Sequence, residues 1–157
     1  MAGRVRWVLL AYRMPREPST PRITVWRKLR RLGVLQVVDG LAALPADART
    51  REQLEWLADE VVEVGGEATV WLAELGSAAQ ERVLAARMAD TIAAEYRQLI
   101  ADAAEAGTEP GAARRRTLAR LRRELHRVGQ RDFFPPPDRE QAKAAVATLA
   151  ELVEVPG

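Results

Sequence analysis

Residues 7–40 read WVLLAYRMPREPSTPRITVWRKLRRLGVLQVVDG. The stretch opens on a strand. From Val5 to Tyr12 both alternating faces are apolar, with Val5, Trp7 and Leu9 on one and Val8, Leu10 and Tyr12 on the other. That pattern belongs to a central strand covered on both sides. MPREPST is a turn with two prolines. Ser19 or Thr20 is placed to cap a helix with Pro21 at its first position. Val25, Trp26, Leu29 and Leu32 form an apolar stripe at helical spacing, while Arg22, Arg27, Lys28, Arg30 and Arg31 fall largely on the other side. Gly33 stops this helix as a left-handed cap. A short strand over 34–38 and the hairpin pair Asp39-Gly40 follow.

Working outward, Leu41 to Leu44 is the return strand, ended by Pro45. Thr50 and Gln53 have capping-box spacing at the head of a second helix, whose buried face is Leu54, Leu57, Ala58, Val61 and Val64. Gly65-Gly66 closes it. Ala68, Val70 and Leu72, with Trp71 on the opposite face, make a fourth strand. The order β-α-β-β-α-β predicts an α+β, ferredoxin-like domain over 1–76, with an antiparallel sheet and both helices on one face. Helices predicted over 77–105, 112–130 and 139–153 form a C-terminal extension over 77–157, expected to pack on that domain as one structural unit. The stripes are Leu84, Met88, Ile92, Tyr96, Leu99, Ile100 and Ala103 on the first, Leu118, Leu121, Leu125 and Val128 on the second, and Ala142, Ala145, Leu149 and Leu152 on the third, which Asp138 is placed to cap.

Composition narrows the chemistry. With no cysteine and one histidine, His126, thiolate nucleophiles, disulfides and multi-imidazole metal sites are excluded. No catalytic residue, no metal and no cofactor are expected. No apolar run approaches the roughly 18 residues of a membrane span, and the WVLLAY run lacks a small-residue cleavage site behind it. No membrane partner and a cytoplasmic location are therefore expected. The net charge is only +2, but residues 1–33 carry +8, 34–110 carry −10, 111–131 carry +7 and 132–157 carry −3. Nearly all the cations are arginine, which suits bidentate oxyanion contacts; a GC-rich genome produces the same bias without any function.

Two basic blocks are therefore candidates for phosphate contact. The first is Arg27, Lys28, Arg30 and Arg31 on the first helix. The second is Arg114, Arg115 and Arg116 with Arg120, Arg123 and Arg127, spaced to run along one helix. The plain alternatives are a solvated face with acidic neighbours for the first block, and pairing with Glu95, Asp102 and Glu105 for the second. Arg13 and Arg16 flank a helix N-terminus and could hold an oxyanion such as sulfate or phosphate, or pair with Glu17 or a backbone carbonyl. Trp7, Trp26 and Trp71 fall on positions that suit a core, and Trp56 lies beside its stripe. Phe133 and Phe134 read as a packing anchor, His126 as a surface residue and Ser19 as a cap.

Several short motifs together resemble one known family, the N-terminal domain of the chromate-resistance regulator ChrB. They are Tyr12-Arg13-Met14-Pro15, Glu17-Pro18-Ser19, Val25-Trp26-Arg27, Leu32-Gly33, Gly65-Gly66-Glu67-Ala68 and Asp132-Phe133-Phe134-Pro135. The first half also looks like the central domain of PaaX-type repressors and like a small ferredoxin-like CRISPR-adaptation protein. That protein is associated with a metal-binding aspartate at the end of its first strand; here Tyr12 and Arg13 stand there, which weakens a nuclease reading. The resemblance implies a non-enzymatic transcription regulator that binds DNA, forms a homodimer, or serves as the platform for a chromate-sensing C-terminal domain on another chain or outside this sequence. A metal-dependent nucleic-acid-processing enzyme and a purely protein-binding module are the alternatives.

Overall fold

In a computed structural model, residues 4–154 are described. Among them, β1 (Trp7–Arg13), α1 (Ser19–Leu32), β2 (Leu35–Val38), β3 (Leu41–Pro45), α2 (Ala48–Glu63) and β4 (Glu67–Ala73) are followed by α3 (Ala78–Ala106), α4 (Gly111–Gln130) and α5 (Asp138–Glu154). The protein is α+β with a four-stranded antiparallel sheet in the order β2-β3-β1-β4, the ferredoxin-like arrangement with C-terminal helices. Two compact units divide at Leu84/Ala85.

The sheet is built around β1. It pairs antiparallel with β3 on one side, Val8 opposite Leu44, and with β4 on the other, Leu9 opposite Trp71. Val8, Leu10, Ala42 and Leu44, which share one face, are fully buried. Burial of apolar side chains on that face, together with Val25 and Leu29 of α1 and Leu54, Leu57 and Val61 of α2, is the main stabilising term of this unit. Gly33 takes φ 78° and its N–H reaches the Arg30 carbonyl, so α1 ends as its sequence predicts. Gly40 (φ 79°) makes the β2–β3 turn, and its carbonyl accepts the Tyr12 N–H at 2.8 Å.

The helix starts differ from their sequence reading. α1 begins at Ser19 after Pro18, with no side-chain cap bond, so neither Ser19 nor Thr20 caps it. α2 is capped by Asp47, not Thr50. The Asp47 carboxylate accepts the Thr50 N–H at 2.8 Å, and the Thr50 hydroxyl accepts the Asp47 N–H at 2.9 Å. Thr50 is thus the reciprocal partner of the box, and it is fully buried. Aromatic placement differs as well. Trp7 is buried, but Trp26, one residue past Val25 on the edge of the α1 stripe, is 52% exposed, and Trp71, which lies opposite Leu9 on the sheet face away from Val8 and Leu10, is 57% exposed.

In the second unit, Ile92, Tyr96, Leu99, Ala103 and Ala106 of α3 meet Leu118, Leu121 and Val128 of α4 and Ala142, Val146 and Leu149 of α5. Val146 replaces Leu152, which is exposed, on the α5 stripe. The fully buried Tyr96 donates its phenol to Asp132 Oδ2 at 2.7 Å, tying α3 to the segment between α4 and α5. Arg131 pairs with Glu95 beside it. Asp132 Oδ1 is buried without a donor among the described residues.

Two stability outcomes are expected. A Cβ on Gly66 would lie 2.6 Å from the Arg13 carbonyl oxygen and 2.7 Å from Val61 Cγ1. Gly66→Ala should therefore cost about 1–3 kcal/mol in urea unfolding; an unchanged midpoint would contradict this packing. Burial, then the hydrogen bond and charge of Asp132, push the Tyr96 phenol well above its ordinary value. With the folded pKa raised, its stabilisation is full below the unfolded pKa of about 10 and is lost as pH climbs through the folded value. Tyr96→Phe should remove part of the decline in stability above about pH 10. At neutral pH it should cost about 1–3 kcal/mol, because the Asp132 carboxylate loses its donor.

Candidate nucleic-acid interface

The arginines divide by what they touch. α4 is amphipathic: Leu118, Leu121 and Val128 are buried, and the opposite side is almost entirely cationic. Arg114 faces inward. Its guanidinium donates to the carbonyls of Gly107 (3.1 Å) and Glu109 (3.0 Å) in the α3–α4 turn, and to Leu152 at 3.4 Å. Arg120 donates to Glu124 at 2.9 Å and lies 3.8 Å from Asp102 of α3. The hydrogen bond to Glu124 pushes its pKa up further. These two cations of the second block hold the helical hairpin.

The others are free. Arg115, Arg116, Arg122, Arg123 and Arg127 are exposed and have no acid partner among the described residues. At 100° per residue they share the outer face of α4, with His126 among them. Arg122 belongs to this stripe although its sequence spacing did not single it out. The signal was present: it lies seven residues after Arg115, two turns along the same face. Of the acids predicted to neutralise the block, Asp102 meets Arg120 and Glu95 meets Arg131.

On α1 the division is similar. Lys28 is bound to Glu60 of α2 at 2.6 Å. Arg27 and Arg31 are exposed with no acid partner among the described residues, and the Arg30 guanidinium lies 4.8 Å from the centre of the Trp26 ring. The α1 surface is therefore mixed apolar and cationic, whereas the α4 surface is cationic throughout.

The turn after β1 keeps its arginines apart from the helix start in chemistry. Arg13 lies 4.0 Å from Glu67 of β4, both highly exposed, so it has a weak acid neighbour other than Glu17. Arg16 is exposed and has no partner among the described residues. Next to Arg13 a shallow cleft is lined by Tyr12, Asp39, Gly40, Glu67 and Thr69. Burial pushes the Tyr12 phenol up, and its hydroxyl donates to Gln36 at 3.2 Å. Among the described residues no three His, Cys, Asp or Glu side chains gather to hold a cation. None of their helices is long and apolar enough to cross a membrane.

A ferredoxin-like sheet followed by a helical unit with one arginine-covered helix defines a small α+β protein. The sequence model described as Protein ChrB, N-terminal, matches residues 22–109, and the chain belongs to that family. It is similar to Protein ChrB of Cupriavidus metallidurans, 26% identical over 133 residues, which covers 82% of this chain and 40% of that protein. The chain thus spans less than half the length of that curated relative. No solved structure matches it.

The arginine assignments separate experimentally. Arg114→Ala should cost about 1–3 kcal/mol in urea unfolding, since carbonyls in the α3–α4 turn lose a charged donor. Arg115→Ala, one position on, should stay within about 0.5 kcal/mol of the parent. Equal losses for both would show that the exposed stripe is structural too.

Proposed function

We propose that this chain is the DNA-contacting N-terminal part of a chromate-responsive transcription regulator, acting by binding and not by catalysis. Family membership supports the regulatory role. The observation that carries DNA contact is the outer face of α4, where five arginines lie unpaired along one helix. A cation left without an acid partner keeps its full attraction for phosphate, and several in a row release several counterions on binding. Arg115, Arg116, Arg122, Arg123 and Arg127 supply this face. Arg27 and Arg31 on α1 are a second, smaller set, and Arg13 with Arg16 remains the candidate for an isolated oxyanion. Chromate control is assigned to a sensor domain beyond this chain, for which the chain is the platform.

Fluorescence anisotropy on duplex DNA from upstream of the chain's own gene tests this across a salt series from about 50 to about 200 mM. Log affinity should fall linearly with log salt, with a slope near −0.9 per phosphate contacted. Arg122→Ala with Arg123→Ala should flatten the slope by about one to two units and leave the circular dichroism spectrum unchanged. A parent chain that shows no salt-dependent binding, or a double variant with the parent's slope, would remove α4 from the interface.

A further inference from the structure

The helix layer of the sheet carries a surface that the DNA reading does not use. α1 presents Arg22, Arg27, Arg30 and Arg31 outward, none with an acid partner among the described residues. α2, joined to it by the Lys28–Glu60 bridge, presents Glu52, Glu55, Asp59 and Glu63 at spacings of three, four and four, a single acidic stripe. Of these, among the described residues, only Glu55 is paired, with Arg51 of the same helix at 3.0 Å. One helix is thus basic and its neighbour acidic, yet apart from Lys28–Glu60 the two sets point outward and do not neutralise each other. Large apolar groups sit among them: Ile23 and Trp26 on α1, and Val62 and Trp56, 66% exposed, on α2. An exposed tryptophan set among charged side chains, as Trp56 is on the acidic side of α2, has the composition of an interface anchor.

We propose that this α1–α2 layer docks a second copy of the same chain, with α1 of each copy on α2 of the other. The surface is self-complementary in charge, as a two-fold interface requires. A two-fold axis running along the helices, in the gap between the copies, sets basic α1 against acidic α2 twice. An axis across the helices would set α1 on α1 and α2 on α2, and like charge opposes it. Trp56, beside the acidic stripe of α2, is buried in the contact, and the arginines of α1 pair with the carboxylates of α2 across it. The arginines of α4 take no part, so this inference stands or fails independently of DNA binding.

Sedimentation velocity of the chain provides the test. Two charge variants are compared with the parent: Arg27→Glu with Arg30→Glu, and Asp59→Arg with Glu63→Arg. The parent should sediment as a dimer. Each variant alone meets like charge at both helix pairs and should raise the dimer dissociation constant about tenfold or more. An equimolar mixture of the two variants restores opposite charges at both pairs, and should form a mixed dimer about as tightly as the parent. A monomeric parent, variants that dimerise like the parent, or folded variants whose mixture stays monomeric would each overturn the proposal. Dissociation by Trp71→Ser but not by the charge variants would move the contact to the sheet and overturn it as well. Should a charge variant fail to fold, Trp56→Ser carries the same readout, because that side chain is exposed in the single copy; a dimer undisturbed by it would again refute the α1–α2 contact.

Discussion

Strand β1 is the constraint on which the first unit depends. It is hydrogen-bonded on both sides, so it has no free edge, and its Val8 and Leu10 side chains are shut away from water entirely. With its edges satisfied by hydrogen bonds and the Val8–Leu10 face closed to water, that face has to be apolar, which WVLLAY supplies. Once it is central, the connections before and after it leave few choices. α1 must return the chain to an outer strand and α2 must do the same from β3, and both must lay their apolar stripes on the sheet. The basic side of α1 and the acidic side of α2 face outward as a consequence of which sides are apolar.

Arginine content by itself says little about binding here. Arg114 spends its donors on backbone carbonyls of a helical turn, Arg120 on Glu124 and Asp102, and Lys28 on Glu60. A guanidinium whose donors and charge are already matched has little left for a phosphate. Arg115, Arg116, Arg122, Arg123 and Arg127 differ in the side of the helix on which they stand, and that difference leaves them without an acid partner among the described residues. The Arg114 contacts and the Leu118, Leu121 and Val128 stripe together set the rotation of α4 about its own axis, and so decide which arginines remain available.

The segment Asp132-Phe133-Phe134 illustrates a second kind of constraint. Phe133 and Phe134 are half-buried, and Asp132 takes the phenol of the fully buried Tyr96. A buried hydroxyl needs a partner, and a charged acceptor satisfies it most strongly. This segment is therefore where the three-helix unit closes its polar core.

Much was legible in the sequence because it is local. The apolar run of β1, the left-handed glycine stop at Gly33, the Asp-Gly hairpin and most of the helical stripes each depend on a few consecutive residues and appear in the fold, while Val64 and Leu152, at the ends of their stripes, are exposed. The order of those elements was enough to determine a ferredoxin-like sheet with helices after it. Tertiary structure alone decided the rest. Periodicity cannot tell where a stripe stops or which sheet face is closed, so Trp26 and Trp71 read as core although the first stands just past the α1 stripe and the second on the sheet face away from Val8 and Leu10. Capping-box spacing was satisfied equally by Asp47 and Thr50, and only backbone geometry chose between them. Whether an arginine is paired depends on carboxylates and carbonyls that the chain brings back from tens of residues away, as Glu60 comes to Lys28 and Leu152 to Arg114. Charge in a sequence is local, but neutralisation is a property of three-dimensional neighbours.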